Sequence, residues 1–269
     1  MLCVLFADDT TLCKSCAELN VLIDEFNKDV KPLIDWCNFN RLDINWSKTF
    51  CMFVTNKRVK PPQEVLINGF SIKVVPEFKL LGVTLDNKLS FSKHISNVCL
   101  AVNKKLFSIK RLFYLCRSVK VQFFKTFIMP YFDYCLSLAI YFPNIILQKL
   151  ANCYYRTIFK LFKFDFSGKN FNEINNFLST YNLFAFQHHL FFRTFLFVFK
   201  IFSNPLSPEN LKDALKLNET RNLVYKLRNS DNLAVTGACS KFGQQTFGFM
   251  MPRFINICCI QAFSLNLND

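Results

Sequence analysis

The sequence predicts an α+β chain, with its strands in the first 90 residues and helices thereafter. Three observations predict it. Val65-Leu66-Ile67 and residues 71–75 flank Asn68-Gly69, a strong hairpin signal. From Ile95 onward apolar residues recur at steps of three and four, the helical period. Hydrophobic residues make up 51% of the 269, enough for a core in one or two domains and against whole-chain disorder.

Taken in order, the amino end reads Val4-Leu5-Phe6-Ala7-Asp8-Asp9-Thr10-Thr11-Leu12, a hairpin with an acid pair at its tip. Adjacent carboxylates on a rigid tip repel unless a cation sits between them, which suits Mg²⁺. An ordinary solvated Asp-Asp turn has the same local sequence. Ser15-Cys16-Ala17-Glu18 is a capping-box pattern with Ser15 as N-cap. The helix it opens carries an apolar face of Leu19, Leu22, Ile23, Phe26, Val30, Leu33, Ile34 and Cys37. Pro32 is expected to kink that helix near Asp29. Residues 49–54 alternate and are β-rich, predicting a strand; 57–63, with Pro61-Pro62, predict a loop. Residues 78–85 predict a strand and turn, with Gly82 allowing positive φ or a close backbone approach.

Beyond residue 90 one stripe contains Ile95, Val98, Val102, Leu106, Ile109, Phe113 and Cys116. At 100° per residue, Lys104 and Arg111 lie opposite it, while Lys105, Lys110 and Arg117 flank it. A second helix is expected over 119–129, breaking at Pro130, and a third over 145–164 with Lys149, Arg156, Lys160 and Lys163. Residues 177–202 form one long helix or two shorter ones, ended by Ser203-Asn204-Pro205. Residues 206–231 are polar and mixed in charge, a connection.

The net charge is +14, which points to nucleic acid or an anionic membrane surface as partner. It is unevenly placed: residues 91–163 hold twelve bases and a single acid, Asp133. A solvated basic face is the ordinary explanation, but near-exclusion of acids over that length favours a polyanion-binding surface. Phe is very frequent, at 34 residues; an AT-rich coding sequence accounts for this without a function. Of twelve Cys, only Cys13-Lys14-Ser15-Cys16 has ligand-like spacing, and no second pair completes a zinc site. Free thiols in a reducing, intracellular compartment, nucleus or cytoplasm, are expected. No signal peptide or transmembrane helix is expected, since uncharged runs are short or rich in His, Asn and Gln. His94 and His188-His189 lack acidic or Cys neighbours at ligand spacing and are expected to be structural.

Phe6-Ala7-Asp8-Asp9 resembles the aromatic-Ala-Asp-Asp box of reverse transcriptases, particularly those of non-LTR retrotransposons. Downstream, Asn45-Trp46-Ser47-Lys48-Thr49, then Phe78-Lys79-Leu80-Leu81-Gly82-Val83-Thr84-Leu85-Asp86, then Leu89 and His94-Ile95 follow in the family's order. The resemblance covers residues 1–165 and extends more loosely to about 255, where Phe247, Met250 and Pro252-Arg253-Phe254-Ile255-Asn256 are similar to a region beyond the thumb.

The resemblance implies part of a polymerase palm over 1–90, a helical thumb over 91–165 and a helical extension over 166–269. It implies Asp8 and Asp9 as Mg²⁺ ligands of a nucleotidyl-transfer site. Lys48 would lie near the incoming triphosphate as a general acid, provided burial lowers its pKa; a solvated Lys before a strand is the alternative. The family often carries Gly ahead of this segment, where this chain has Asn40-Arg41. Leu81, Gly82 and Val83 would form a primer grip, and Lys104, Lys105, Lys110 and Arg111 would contact phosphates of an RNA template–DNA primer duplex. The family's further catalytic Asp and its fingers lie upstream of the portion matched, so polymerisation by these residues alone is not expected. The rival expectations are a non-enzymatic basic nucleic-acid-binding protein and a membrane-surface protein, whose helices would look alike.

Overall fold

Turn chemistry sets the amino-terminal strands. Ala7 and Asp8 are the two loop residues between β1 (Leu2–Phe6) and β2 (Asp9–Cys13), with Phe6 opposite Asp9. Ala7 takes φ 52°, the left-handed conformation that tight hairpin loops require. This computed structural model describes residues 1–55, 60–108, 114–164, 167–218, 232–238 and 246–265. The chain divides into two compact units, Met1–His94 and Ile95–Asp269.

In the first unit, α1 (Leu19–Phe39) packs its predicted face on β4 (Glu64–Ile67) and β5 (Phe70–Val74). Val30, Val65, Ile67 and Ile72 are buried together, with Leu12, Ile23, Phe26 and Ile34 against them. Asn68 (φ 48°) and Gly69 (φ 88°) make the β4–β5 turn, as the Asn-Gly pair predicts. The Asn27 side chain pins the turn to α1, donating to Leu66 O (3.2 Å) and accepting from Asn68 N (2.8 Å). β3 shrinks to Phe50–Cys51, parallel to β5, rather than the expected six residues. β6 (Glu77–Leu80) and β7 (Val83–Asp86) form a separate antiparallel hairpin.

α1 does not begin at a Ser15 cap. It starts at Leu19 with Glu18 as N-cap and no side-chain cap bond. Lys14 explains the shift: its ammonium pairs with Asp29 (2.8 Å) and Glu25 (3.0 Å). A helix wound from residue 16 would set Asp29 about 20 Å along the axis, out of reach of Lys14. Residues 14–18 therefore run beside the helix instead of forming its first turn. Pro32 lies within α1, which continues through it.

The second unit is helical. α2 spans Ser92–Ser108, with Ile95, Val102 and Leu106 buried on the predicted stripe. Residues 109–113, and with them the expected continuation of the stripe, lie outside the described residues. The break expected at Pro130 does not occur. α3 (Arg117–Phe123) passes through one π-type turn, Phe124–Ile128, into α4 (Met129–Asp133), with Pro130 in its first turn. A proline there lacks an N–H and crowds the carbonyl four residues back; the wide turn ahead of it absorbs both.

α5 spans Asn144–Phe162 and ends on Lys163 at φ 60°. α6 (Phe171–Ser179) carries a full capping box, Asn170 Oδ1 accepting from Glu173 N and Glu173 Oε2 from Asn170 N. α7 (Phe186–Ser203) follows, so residues 177–202 hold two helices rather than one. α8 (Glu209–Asp213) lies inside the expected connection, and α9 (Phe247–Leu265) closes the described chain.

Two cores hold this unit. In one, Tyr154 is fully buried, edge-on to Phe124 (5.7 Å) and Phe132 (5.3 Å) and tilted to Phe186 (5.7 Å). Its hydroxyl donates to Phe184 O at 2.7 Å, so the ring is buried without orphaning its polar end. In the other, Val198, Ile201, Leu215, Leu233 and Met251 gather α7 and α9. Asn256 clasps residue 233 from both sides, donating to Leu233 O (2.9 Å) and accepting from Leu233 N (2.8 Å).

Candidate functional site

The acid pair stands where the hairpin puts it. Asp8 is the second loop residue and Asp9 the first of β2, and both are exposed. The strands leading to them are barely covered: Leu5 is 69% and Phe6 61% exposed. Among the described residues β1 and β2 pair only with each other, and no described strand lies along the outer edge of β1. As magnesium ligands the two residues supply carboxylate oxygens on a short, fixed turn. Among the described residues no group of three His, Cys, Asp or Glu comes together anywhere. The residues present therefore do not complete a donor set for one well-held Mg²⁺, still less two. Cys13 and Cys16 are both exposed, and among the described residues no third ligand joins them.

Lys48 ends a 3₁₀ turn, Trp46–Lys48. Asn45 Oδ1 holds that turn, accepting from Ser47 Oγ (2.7 Å) and Lys48 N (3.2 Å). The side chain of Lys48 is exposed and pairs with no described carboxylate, so the burial required of a general acid is not supplied. The partly buried side chain in this segment is Trp46, stacked on Phe70 at 4.2 Å. Where the family often has Gly, Arg41 itself takes φ 56°, and Asn40 Nδ2 donates to Trp36 O (2.8 Å).

The Leu81–Gly82 pair turns the β6–β7 hairpin with φ 45° and 88°, the same pattern as Asn68–Gly69. Leu81 is exposed, while Val83 faces inward. A branched aliphatic in the left-handed region costs about 1–2 kcal/mol, strain that surrounding contacts must hold. Beyond it, Asp86 does what no motif announced. Its Oδ1 accepts from Lys88 N (3.0 Å) and Ser90 N (3.1 Å), its Oδ2 from Ser90 Oγ (2.9 Å) and Phe91 N (3.0 Å). Burial works against the charge, but these donors outweigh it and hold the Asp86 carboxyl below the ordinary range. The carboxylate thereby organises a loop in which Leu89 and Phe91 both take positive φ. An Asp followed by Ser four residues later is the one sequence signal for this. His94 is buried and accepts from Thr84 N at 3.4 Å; burial, with Lys79 nearby, lowers its pKa, which suits a structural role.

On the second unit Lys104 is exposed on α2, opposite the buried stripe, and Lys105 lies over the Phe127 ring at 5.6 Å. Lys110 and Arg111 lie outside the described residues. On α5, Lys149 donates to Ser96 Oγ (2.8 Å), leaving Arg156 and Lys160 as exposed cations. Asp133, the lone acid of residues 91–163, is half-buried rather than on the open surface. It accepts from His189 and Arg193 of α7. Burial pushes its carboxyl up, but the hydrogen bonds from His189 and Arg193 prevail and keep it below the ordinary value. His189 thus has an acidic neighbour that sequence spacing hid, and its role is to tie α7 to α4.

No helix of the described residues is long and apolar enough to cross a membrane. No family model matches the chain, and no solved structure matches it. Over 135 residues, 49% of the chain, it is 27% identical to the RNA-directed DNA polymerase from mobile element jockey of Drosophila melanogaster. The chain covers 15% of the length of that protein. Across about half its residues it is a distant relative of a mobile-element reverse transcriptase.

Proposed function

We propose that these residues are a segment of the reverse transcriptase of a non-LTR retroelement, carrying the Asp-Asp hairpin of the palm and a duplex-binding thumb. The identity with the jockey polymerase carries this reading. The exposed acid pair at the end of a tight hairpin supports it, as does the acid-free outer face of α2 and α5. Asp8 and Asp9 would be metal ligands in the whole enzyme, Mg²⁺ serving there to stabilise charge on the transferring phosphoryl group. Leu81, Gly82 and Val83 would bring a tight turn close to the primer backbone. Lys104, Lys105, Arg156 and Lys160 would meet phosphates without reading sequence.

The 269 residues alone should bind an RNA–DNA duplex and fail to extend its primer. Binding should weaken steeply with salt, because each neutralised phosphate releases counterions. Lys104→Ala and Lys160→Ala should each reduce the log–log salt slope by about one. The coding sequence immediately upstream of Met1 provides the decisive test. An in-frame region encoding a hydrophobic strand with an Asp, joined to this chain, should confer primer extension that Asp8→Ala lowers by about 10²–10³-fold. Duplex binding with no such upstream region, unchanged by Asp8→Ala and Asp9→Ala, would establish the non-enzymatic binder instead.

A further inference from the structure

We propose that the outer face of α7 is the contact surface of a symmetric dimer, its partner a second copy of this chain. At 100° per residue, Phe191, Phe192, Phe195, Phe199 and Phe202 fall within one arc of about 100°. Phe186, Thr194 and Ile201, on the opposite arc, are buried. The five Phe are each about half exposed, from 44% at Phe191 to 58% at Phe199. Ring contacts join the patch. Phe191 lies parallel to Phe195 (6.5 Å, 7°), and Phe192 stacks on Phe184 (6.2 Å), which is exposed as well. From Phe191 to Phe202 the row runs about 17 Å along the helix.

Area and charge together select the occupant. Fully burying a Phe removes about 150–250 Å² from water, so these half-open rings leave about 600 Å² uncovered on each copy. That is the top of the range for the largest apolar patch of a monomer, about 300–600 Å². A pair covering both faces removes about 1,200 Å², where the sizes of specific, stable interfaces begin. The arc has no Lys, Arg, Asp or Glu, and α7 as a whole has no acid. Its two cations lie elsewhere: Arg193 donates to Asp133, and Lys200 is about 140° around the helix from Phe195. A phosphate backbone would meet no cation on this face. An anionic bilayer calls for a basic surface behind the apolar one, and here that surface is packed core. A second copy meets its own chemistry, ring against ring, with no charge set against like charge at the contact.

Two-fold symmetry sets the same residues on both sides of the contact. Phe191, Phe195 and Phe199 form a row at four-residue steps, the ridge that interdigitates with a like ridge in the commonest helix–helix crossing. Phe195 is in the middle of both the arc and that row, so the two-fold axis passes close to it. Each copy carries a net charge of +14, and two copies repel as they approach. Salt screens that repulsion and should tighten the dimer. Duplex binding has the opposite salt dependence, which separates the two associations. This inference does not depend on the polymerase reading.

Sedimentation equilibrium of the full chain tests it. The native chain should pass from 31.5 kDa to twice that mass as its concentration rises to about 100 μM, and added sodium chloride should favour the dimer. Phe195→Glu sets two carboxylates against each other across the axis. It should weaken association by about 100-fold or more, with far-UV circular dichroism unchanged. If Phe195→Glu does not fold, Phe199→Glu, at the most exposed ring of the row, decides in its place. A native chain that stays at 31.5 kDa throughout overturns the proposal, whether or not it floats with phosphatidylserine vesicles. A dimer that both substitutions leave intact overturns it equally, as does one that Leu5→Lys abolishes through the open β1 strand.

Discussion

The hairpin that carries Asp8 and the cage around Tyr154 are built from the same kinds of residue to opposite effect. Every residue of β1 is exposed, and among the described residues its only strand partner is β2. Tyr154 has no exposed surface, four aromatic neighbours among the described residues and a satisfied hydroxyl. Burying an aromatic ring removes about 150–250 Å² from water, whereas a half-covered strand gains little of that stabilisation. The lesson is that the acid-bearing element depends on cover from elsewhere, while the helical unit supplies its own. In the proposed intact enzyme, further palm strands would supply that cover.

Four substitutions would break or sharpen this contrast. The largest effect is expected from Tyr154→Ala, about 3–5 kcal/mol of stability lost from the helical unit. Both tryptophans, Trp36 and Trp46, belong to the first unit. Far-UV circular dichroism should therefore show an earlier urea transition while tryptophan fluorescence keeps its midpoint. A shift in both by the same amount would show that the hairpin-bearing unit borrows its stability from the helices.

Asp133→Ala comes next, at about 2 kcal/mol. Breaking a buried pair costs about 3–5 kcal/mol, less here because Arg193 is 40% exposed. The pH sign follows from the direction of the shift. The Asp133 carboxyl lies below its ordinary 3.8 when folded, so its contribution is complete above about pH 4. It is lost as the pH falls through the lower folded value. Acid titration of the helical signal should show this limb in the native chain and not in Asp133→Asn.

Leu81→Asn should stabilise by about 1 kcal/mol, since Asn tolerates the left-handed conformation that strains Leu. The thermal midpoint of the first unit reports it. Leu5→Lys should change stability by less than about 0.5 kcal/mol while lowering light scattering on concentration, because it places a charge on the open strand. A large loss of stability in Leu5→Lys would mean that β1 is better covered than its exposure indicates.

Much of this was legible in the sequence, and the failures share a cause. Asn68-Gly69 announced its turn because the backbone needs two positive φ angles there, which Asn and Gly adopt most readily. The stripe of α2 and the face of α1 were legible because burial follows a local period. Glu18 as the start of α1 was not, since the deciding contact is Lys14 with Asp29, 15 residues on. The fate of Pro130 hung on a widened turn that no propensity encodes. Asp133 is the clearest case. As a string it is one acid among bases; its partners lie 56 and 60 residues away and only packing brings them in. For the site, the acid pair and its turn were legible, but the exposure of Lys48 was not, because Trp46 rather than Lys48 takes the inward position.

The inward placement of that one carboxylate also shapes what an approaching polyanion meets. Held between an imidazole and a guanidinium, Asp133 sends almost no negative potential outward. In the proposed thumb, the acid-free outer faces of α2 and α5 would then meet phosphate with no repulsion from this carboxylate. Had the acid stood on the rim instead, every nucleic-acid strand sliding past would encounter a barrier at that point.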